Sequence, residues 1–316
     1  MDQNSTLYPS HVFTYEACPQ EFLWCKGWSV IDLGRGPGRG KKLPKLRSKH
    51  DAVMGIAIQY AIERMYNDEF YRDPHYLRFR LVKLAEDEFL RQEMKPYNKI
   101  DYIEAQMSRE EMLQIVRDGV LGYLTTMKHH RFLGPEYSKA EVNLIGWVNK
   151  RVSVGGRADV IIRRDDTGVT ILDGKNTRHK MKYTNPDQLR WYAMCFKLAY
   201  RVLPDRLGFV WYRFPYGMET LDEEKDELVV EQGVEWVDFT GDDLRGLAQR
   251  AIEAREGMRK ENFDPIPVPS HCKWCDFESV CEARQSQREA NAAKRGPSKN
   301  NLEELSDSKG FVDLSL

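Results

Sequence analysis

The chain has 316 residues, with 48 basic and 49 acidic side chains and a formal net charge of −1. Its length fits one elaborated domain or two small ones, and a hydrophobic content of 41% suffices for a packed core. The balanced charge excludes a protein-wide field that would attract nucleic acid or an anionic membrane, so a polyanion site must be local. No long apolar run or secretory signal is visible, which predicts a cytoplasmic protein without a membrane partner.

A basic segment precedes the first predicted helix. Between Gly34 and Lys49 the chain has seven Lys or Arg residues, no acidic residue, and several interrupting glycines. This composition indicates a loop that contacts phosphate groups, or alternatively a solvated connection. The glycine spacing does not fit a nucleotide-binding P-loop. The phosphate-contacting candidates are Arg35, Arg39, Lys41 and Lys42.

Helical periodicity then dominates up to about residue 130. Apolar residues in 51–70 recur every three or four positions, and a second helix is predicted over 75–94. A third helix begins at Ser108, where Glu111 completes a capping-box pattern. We expect a helical insert over about 50–130.

The pattern changes to β-strands near residue 137. The segments 141–148, 152–162 and 169–175 are rich in Val and Ile, and a turn separates the last two, which predicts an antiparallel sheet. Downstream, the predicted elements are a helix from Asn185 to about Leu203, strands over 207–214 and 234–239, and a helix that begins near Thr240. This order predicts an α/β fold.

Two acidic residues and a lysine lie on adjacent predicted strands. Asp173 and Lys175 share one side of their strand, Gly174 leaves its carbonyl accessible, and Asp159 comes from the neighbouring strand. Carboxylate and carbonyl oxygens suit Mg²⁺ or Mn²⁺, and a lysine can stabilise charge on a phosphate. The alternative is an ordinary hairpin in which Arg157 and Lys175 pair with the two carboxylates, but burial among apolar strands would make such an acidic pair costly.

At this point the sequence resembles a known family. Three segments are similar to successive motifs of the RecB-like branch of the PD-(D/E)XK nucleases: Gly156-Arg157-Ala158-Asp159, Asp173-Gly174-Lys175 and Gln188-Leu189-Arg190-Trp191-Tyr192. The resemblance implies a restriction-endonuclease-like core, with a mixed sheet flanked by helices, over about 137–215. It also implies metal-dependent hydrolysis of DNA.

The resemblance assigns a role to each residue of these motifs. Asp159, Asp173 and the Gly174 carbonyl would hold Mg²⁺ or Mn²⁺, Lys175 would be the catalytic lysine, and Gln188 and Tyr192 would position the lysine or the DNA. The branch usually has a histidine four residues after a glycine on an N-terminal helix, and here Gln59 follows Gly55 at that spacing. Gln59 is a weak ligand candidate, and its amide favours magnesium. Further candidates for DNA contact are Arg157, Arg190 and Trp191.

The cysteines suggest a second metal site. Cys272, Cys275 and Cys281 have C-x2-C-x5-C spacing, and a four-coordinate zinc or iron–sulfur site needs one more ligand, from Cys18, Cys25 or His271. Iron–sulfur members of the same branch, among them the CRISPR-associated spacer-acquisition nuclease and the AddB nuclease domain, share an N-terminal Cys-Pro and this C-terminal spacing. The resemblance therefore implies a structural [4Fe-4S] cluster on Cys18 and the C-terminal cysteines, with Zn²⁺ as the alternative.

These inferences predict one nuclease domain over 1–283 and a flexible tail over 284–316. The expected activity is exonucleolytic, on single-stranded DNA or DNA ends, with a possible helicase, recombination or replication partner. The alternative is a weak or inactive DNA-binding or assembly protein that uses the same fold.

Overall fold

The computed structural model describes residues 6–27, 50–95, 98, 100–177, 180, 185–222, 227–275 and 277–295. The basic segment, with its candidates Arg35, Arg39, Lys41 and Lys42, lies outside the described residues, as does 296–316.

Helices account for much of the described chain. The α-helices are α1 (Pro9–Ala17), α2 (Pro19–Phe22), α3 (His50–Asn67), α4 (Leu77–Glu93), α5 (Tyr102–Ala105), α6 (Arg109–His129), α7 (Pro186–Tyr200), α8 (Gly241–Arg259), α9 (Pro269–Cys272) and α10 (Glu282–Arg295). A π-helix occupies Leu23–Gly27, and short 3-10 helices occupy Phe70–Arg72 and Glu278–Val280. The predicted capping box at Ser108 is present at the start of α6. None of the helices in the described ranges combines the length and hydropathy that a membrane span requires.

The strands form one main sheet and a separate hairpin. They are β1 (Tyr137–Asn149), β2 (Val152–Arg164), β3 (Gly168–Lys175), β4 (Arg206–Trp211), β5 (Glu219–Asp222), β6 (Glu227–Val230) and β7 (Val234–Trp236). The main sheet has the order β1-β2-β3-β4-β7, and β5 pairs only with β6. β1, β2 and β3 are antiparallel, β3 and β4 are parallel, and β7 is antiparallel to β4. The predicted α/β fold with a mixed sheet flanked by helices is confirmed.

The parallel pair depends on α7. Because parallel strands need a crossover, the helix between β3 and β4 covers one face of the sheet. Asn185 caps its start by accepting from the Asp187 N–H at 3.0 Å, and it ends earlier than predicted because Arg201 adopts a left-handed conformation with φ 66°. The crossover thereby places α7 directly beside β3.

Two apolar cores lie on opposite sides of the sheet. One contains residues of α1, α7 and α8, and the other contains residues of α3, α4 and α6. The N-terminal helical insert therefore supports one face of the sheet.

The C-terminal region differs from the predicted tail. Its first part, 284–295, is helical within α10, because the Arg284 side chain is buried and Gln287 donates to the Pro267 carbonyl at 2.5 Å. The hairpin of β5 and β6 was not predicted from the sequence.

Candidate active site

The register of β2 and β3 brings the two aspartates together. Val160 pairs with Leu172, which sets Asp159 and Asp173 opposite each other across the two strands. Oδ2 of Asp159 accepts the Gly174 N–H at 2.8 Å. Asp173 is only 2% exposed. The predicted convergence of these two carboxylates is therefore present in the structure.

A hydrogen-bond network from α7 completes this arrangement. Gln188 donates from Nε2 to Asp173 Oδ1 and to the Tyr192 hydroxyl, each at 3.0 Å, and its Oε1 accepts from Lys175 Nζ at 3.0 Å. Lys175 Nζ also lies 2.5 Å from Asp173 Oδ2, and 5.2 Å from the centre of the Phe209 ring. One glutamine therefore orients both the lysine and the more buried carboxylate.

Burial and mutual repulsion disfavour two ionised aspartates. Burial, followed by the charge of Asp173, raises the pKa of the Asp159 carboxyl well above its ordinary value. Burial also raises the pKa of Asp173, although Lys175 opposes the effect. Since desolvated like charges are costly, a divalent cation between them would relieve the cost.

Close packing explains two glycines of the predicted motifs. A Cβ on Gly174 would lie 1.7 Å from the Tyr212 hydroxyl, so only glycine fits between the aspartate and the lysine. A Cβ on Gly156 would lie 2.8 Å from the Tyr192 ring. Tyr212 itself donates to Gln59 Oε1 at 2.5 Å. The amide oxygen proposed as a weak metal ligand therefore has a protein partner.

Glu141 is a site residue that sequence reasoning missed. It lies on β1 between the pairs Ala140–Val160 and Val142–Ala158, hence opposite Asp159. Its oxygens accept from Gln59 Nε2 at 3.1 Å and pair with Arg157 Nε at 2.6 Å. An acidic residue at the start of a predicted strand was the available signal, but only the register relates it to Asp159.

A cleft of about 600 Å³ opens beside this network. Gly174, Lys175 and Asn176 lie on one side, with residues of α3 and of the α5 turn around the remainder. Asn176 accepts from Arg213 Nε at 3.1 Å, and Arg213 pairs with Asp51 at 2.9 Å. The cleft gives the lysine and the aspartate strand access to a ligand.

The predicted DNA contacts have different surroundings. Arg157 is exposed beside the site, whereas Arg190 bonds to the Asp238 carbonyl and to Asp187. Trp191 is fully buried, and its indole N–H donates to the Gly155 carbonyl at 2.9 Å. The expectation that Trp191 contacts DNA is contradicted, because this ring belongs to the core beneath β2.

The four predicted cluster cysteines line a second, smaller pocket. Cys18 lies between α1 and α2, and Cys272, Cys275 and Cys281 reach the pocket from the C-terminal region. Burial raises the pKa of Cys275 to about 12, and also raises that of Cys272. His271 lines the same pocket but pairs with Glu21 at 2.5 Å, while Cys195 is buried in the core.

The donor chemistry of the two sites suits different metals. Asp159, Asp173 and the Gly174 carbonyl offer hard oxygen donors, and Asp173 is almost fully buried with Lys175 as the ion-pair partner of its Oδ2. The cysteines offer soft sulfur donors. In the part of the chain that the structure describes, no three His, Cys, Asp or Glu side chains are already arranged as closely as bound metal ligands.

Comparison with known proteins identifies the class. The sequence profile of the PD-(D/E)XK nuclease superfamily matches residues 6–282, and the chain belongs to that superfamily. Its members hydrolyse phosphodiester bonds in nucleic acids and typically use Mg²⁺ or Mn²⁺.

No curated protein matches the sequence. The crystal structure of SSO0001 is similar at 18% identity, over 58% of this chain and 79% of that chain, with a TM-score of 0.32.

Proposed function

We propose that the protein is a metal-dependent DNA nuclease of the RecB-like branch, which acts on single-stranded DNA or DNA ends. The observation that carries the proposal is the network in which Gln188 joins Asp173 to Lys175, with Asp159 opposite Asp173 and an open cleft alongside. A merely structural ion pair would need neither the second buried carboxylate nor the cleft.

Each residue has a distinct task in this proposal. Asp159 and Asp173 would hold Mg²⁺ or Mn²⁺, which when bound would lower the pKa of a water and offset charge on the phosphate. Lys175, held by Gln188, places its ammonium group at the cleft, where it can hydrogen-bond a water or a phosphate oxygen. In this proposal Tyr192 does not contact the substrate. Its hydroxyl accepts from Gln188 Nε2 and thereby holds the amide in position.

The nuclease assignment predicts a defined loss when the lysine is removed. Replacing Lys175 by methionine should lower the rate of DNA cleavage about 100-fold, because the ammonium group that stabilises developing charge is lost. The measurement is cleavage of end-labelled linear DNA, single- and double-stranded, with Mg²⁺ or Mn²⁺. Circular single strands should resist cleavage if the enzyme requires an end.

Lys197→Met is the matched control, because this exposed lysine lies on α7 away from the site. It should cleave at the wild-type rate. Equal activity of wild type and Lys175→Met would contradict the proposed role of Lys175, and an inactive wild type would favour a DNA-binding or assembly role.

We further propose a structural [4Fe-4S] cluster in the cysteine pocket. The supporting observation is that Cys18 and the three C-terminal cysteines line one pocket although they are far apart in sequence. A cluster there would join α1 to the C-terminal region and contribute directly to folding.

The cluster proposal predicts a specific pattern of metal content. Anaerobically purified protein should contain iron and sulfide and be brown, and Cys272→Ser should lose both together with thermal stability. Cys195→Ala is the control, because this buried thiol lies outside the pocket, and it should retain iron. Zinc in place of iron would support the alternative metal, and metal-free, stable wild-type protein would eliminate both.

A further inference from the structure

The backbone of Glu141 is strained beside the proposed metal site. Its φ is 54°, a left-handed conformation that non-glycine residues rarely adopt within a strand. Such strain persists only where the surroundings hold it, and it occurs preferentially at functional sites. The register sets this residue opposite Asp159.

Two neighbours hold the carboxylate in place. Gln59 donates to Oε1 at 3.1 Å, and the direction of its amide is set because its own oxygen accepts from Tyr212. Arg157 Nε lies 2.6 Å from Oε2. Gln59 thus orients Glu141 from within the protein, and Arg157 neutralises it from the solvent side.

The two members of the ion pair differ in exposure. The Glu141 side chain is 18% exposed, whereas that of Arg157 is 66% exposed. An exposed guanidinium is well suited to bidentate pairing with a phosphodiester. Because solvent screens the exposed guanidinium, the pair holds Arg157 only weakly, and an incoming phosphate can replace the carboxylate.

Glu141 also lies close to the two aspartates. It is opposite Asp159 of β2, which in turn is opposite Asp173 of β3. A third carboxylate this close would strengthen the binding of a divalent cation once Arg157 no longer neutralises it. A DNA phosphate therefore competes with Glu141 for Arg157, and a divalent cation competes with Arg157 for Glu141.

We propose that Glu141 is a third carboxylate for the divalent cation, and that Arg157 restrains it until a DNA phosphodiester binds Arg157. The exchange involves ion pairs only and breaks no covalent bond. The inference rests on the proposed nuclease function and adds a coupling between substrate and metal. Because coupling is reciprocal, DNA should raise the affinity for metal by the same factor by which metal raises the affinity for DNA.

Equilibrium binding of Mn²⁺, measured by calorimetry and by electron paramagnetic resonance, tests this coupling. In a Lys175→Met background, which slows turnover, a single-stranded oligodeoxynucleotide should tighten Mn²⁺ binding about 5- to 10-fold. With Arg157→Gln added, DNA-free protein should already bind Mn²⁺ that tightly, and the oligonucleotide should add little. Arg163→Gln, an exposed arginine on the same strand, is the control for the loss of one positive charge.

A double-mutant cycle separates release of Glu141 from a through-space effect of charge. If Arg157 acts by restraining Glu141, adding Glu141→Gln should remove the affinity gain of Arg157→Gln. A gain that persists without the Glu141 charge would overturn the inference, as would equal Mn²⁺ affinities in Arg157→Gln and Arg163→Gln. Circular dichroism of each variant verifies folding.

The same experiments distinguish this inference from the proposed function. If wild-type protein does not cleave DNA with any divalent cation, the nuclease proposal fails whatever the Mn²⁺ affinities are. If it cleaves DNA but its Mn²⁺ affinity is independent of DNA and of Arg157, only the coupling fails.

Discussion

Replacing Asp159 by asparagine is expected to reduce DNA cleavage about 1,000-fold and to raise the stability of the metal-free protein. The loss follows because a bound cation contributes several kcal/mol to the transition state, and asparagine removes one of its charged ligands. Stability should increase because burial and the charge of Asp173 disfavour the ionised form of Asp159. Asparagine keeps an oxygen that can accept the Gly174 N–H.

The stability gained by Asp159→Asn should depend on pH. The pKa of Asp159 is raised in the folded state, so the folded protein binds this proton more tightly than the unfolded chain. Its contribution to stability is therefore most favourable at low pH and declines as pH rises from the ordinary aspartate pKa through the raised one. The stability of Asp159→Asn should equal that of wild type in acid and exceed it at neutral pH. Removing about 1 kcal/mol of repulsion should raise the Tm by a few degrees.

Thermal melts across pH, with and without Mg²⁺, provide the measurement. Asp166→Asn is the matched control, because Arg164 lowers the pKa of Asp166 and the residue is exposed in the β2–β3 turn. That variant should keep full activity and gain no stability at neutral pH. An active Asp159→Asn protein, or one less stable than wild type in metal-free neutral buffer, would contradict the assignment of this carboxylate.

The second large effect is expected for Gly174→Ala. Its Cβ would lie 1.7 Å from the Tyr212 hydroxyl and 2.4 Å from Cζ, and Tyr212 is buried and hydrogen-bonded to Gln59. We expect a loss of about 1–3 kcal/mol in the free energy of unfolding, typical of overpacking. Cleavage should fall at least about 100-fold, because a shift of β3 misplaces the flanking Asp173 and Lys175.

Urea denaturation and cleavage rates test this prediction. Gly246→Ala serves as the control, since a Cβ there meets nothing within 4 Å in the interior of α8, and it should stabilise by about 0.5–1 kcal/mol. Tyr212→Phe removes the closest clashing atom, so combining it with Gly174→Ala should cost less than the sum of the two single changes. If Gly174→Ala were as stable as wild type, the close approach of Tyr212 to Gly174 would not require a glycine.

Sequence reasoning succeeded where short-range pattern and chemistry coincide. The alternation in β2 and β3 and the turn between them were enough to place Asp159 beside Asp173, and helical spacing placed Gln188 and Tyr192 on one face of α7. The α/β fold followed from the order of these elements.

The remaining differences depend on tertiary structure. Glu141 becomes relevant only through strand register and an unusual backbone conformation, which composition does not reveal. Trp191 resembles a base-stacking residue in sequence, yet the crossover turns it toward the core. Residues 284–295 have a polar composition typical of a tail, but Arg284 and Gln287 attach their helix to neighbouring segments.

The position of α1 has a consequence for biosynthesis. Leu7, just before it, pairs with Val154 of β2, and Tyr15 within it donates to the Asn262 carbonyl. During synthesis α1 therefore acquires these native neighbours only after β2 and the residues up to Asn262 have been translated. Until then its apolar side chains are available to chaperones, so slowing translation of the segment between α1 and Asn262 should lengthen that exposure and increase aggregation of nascent chains.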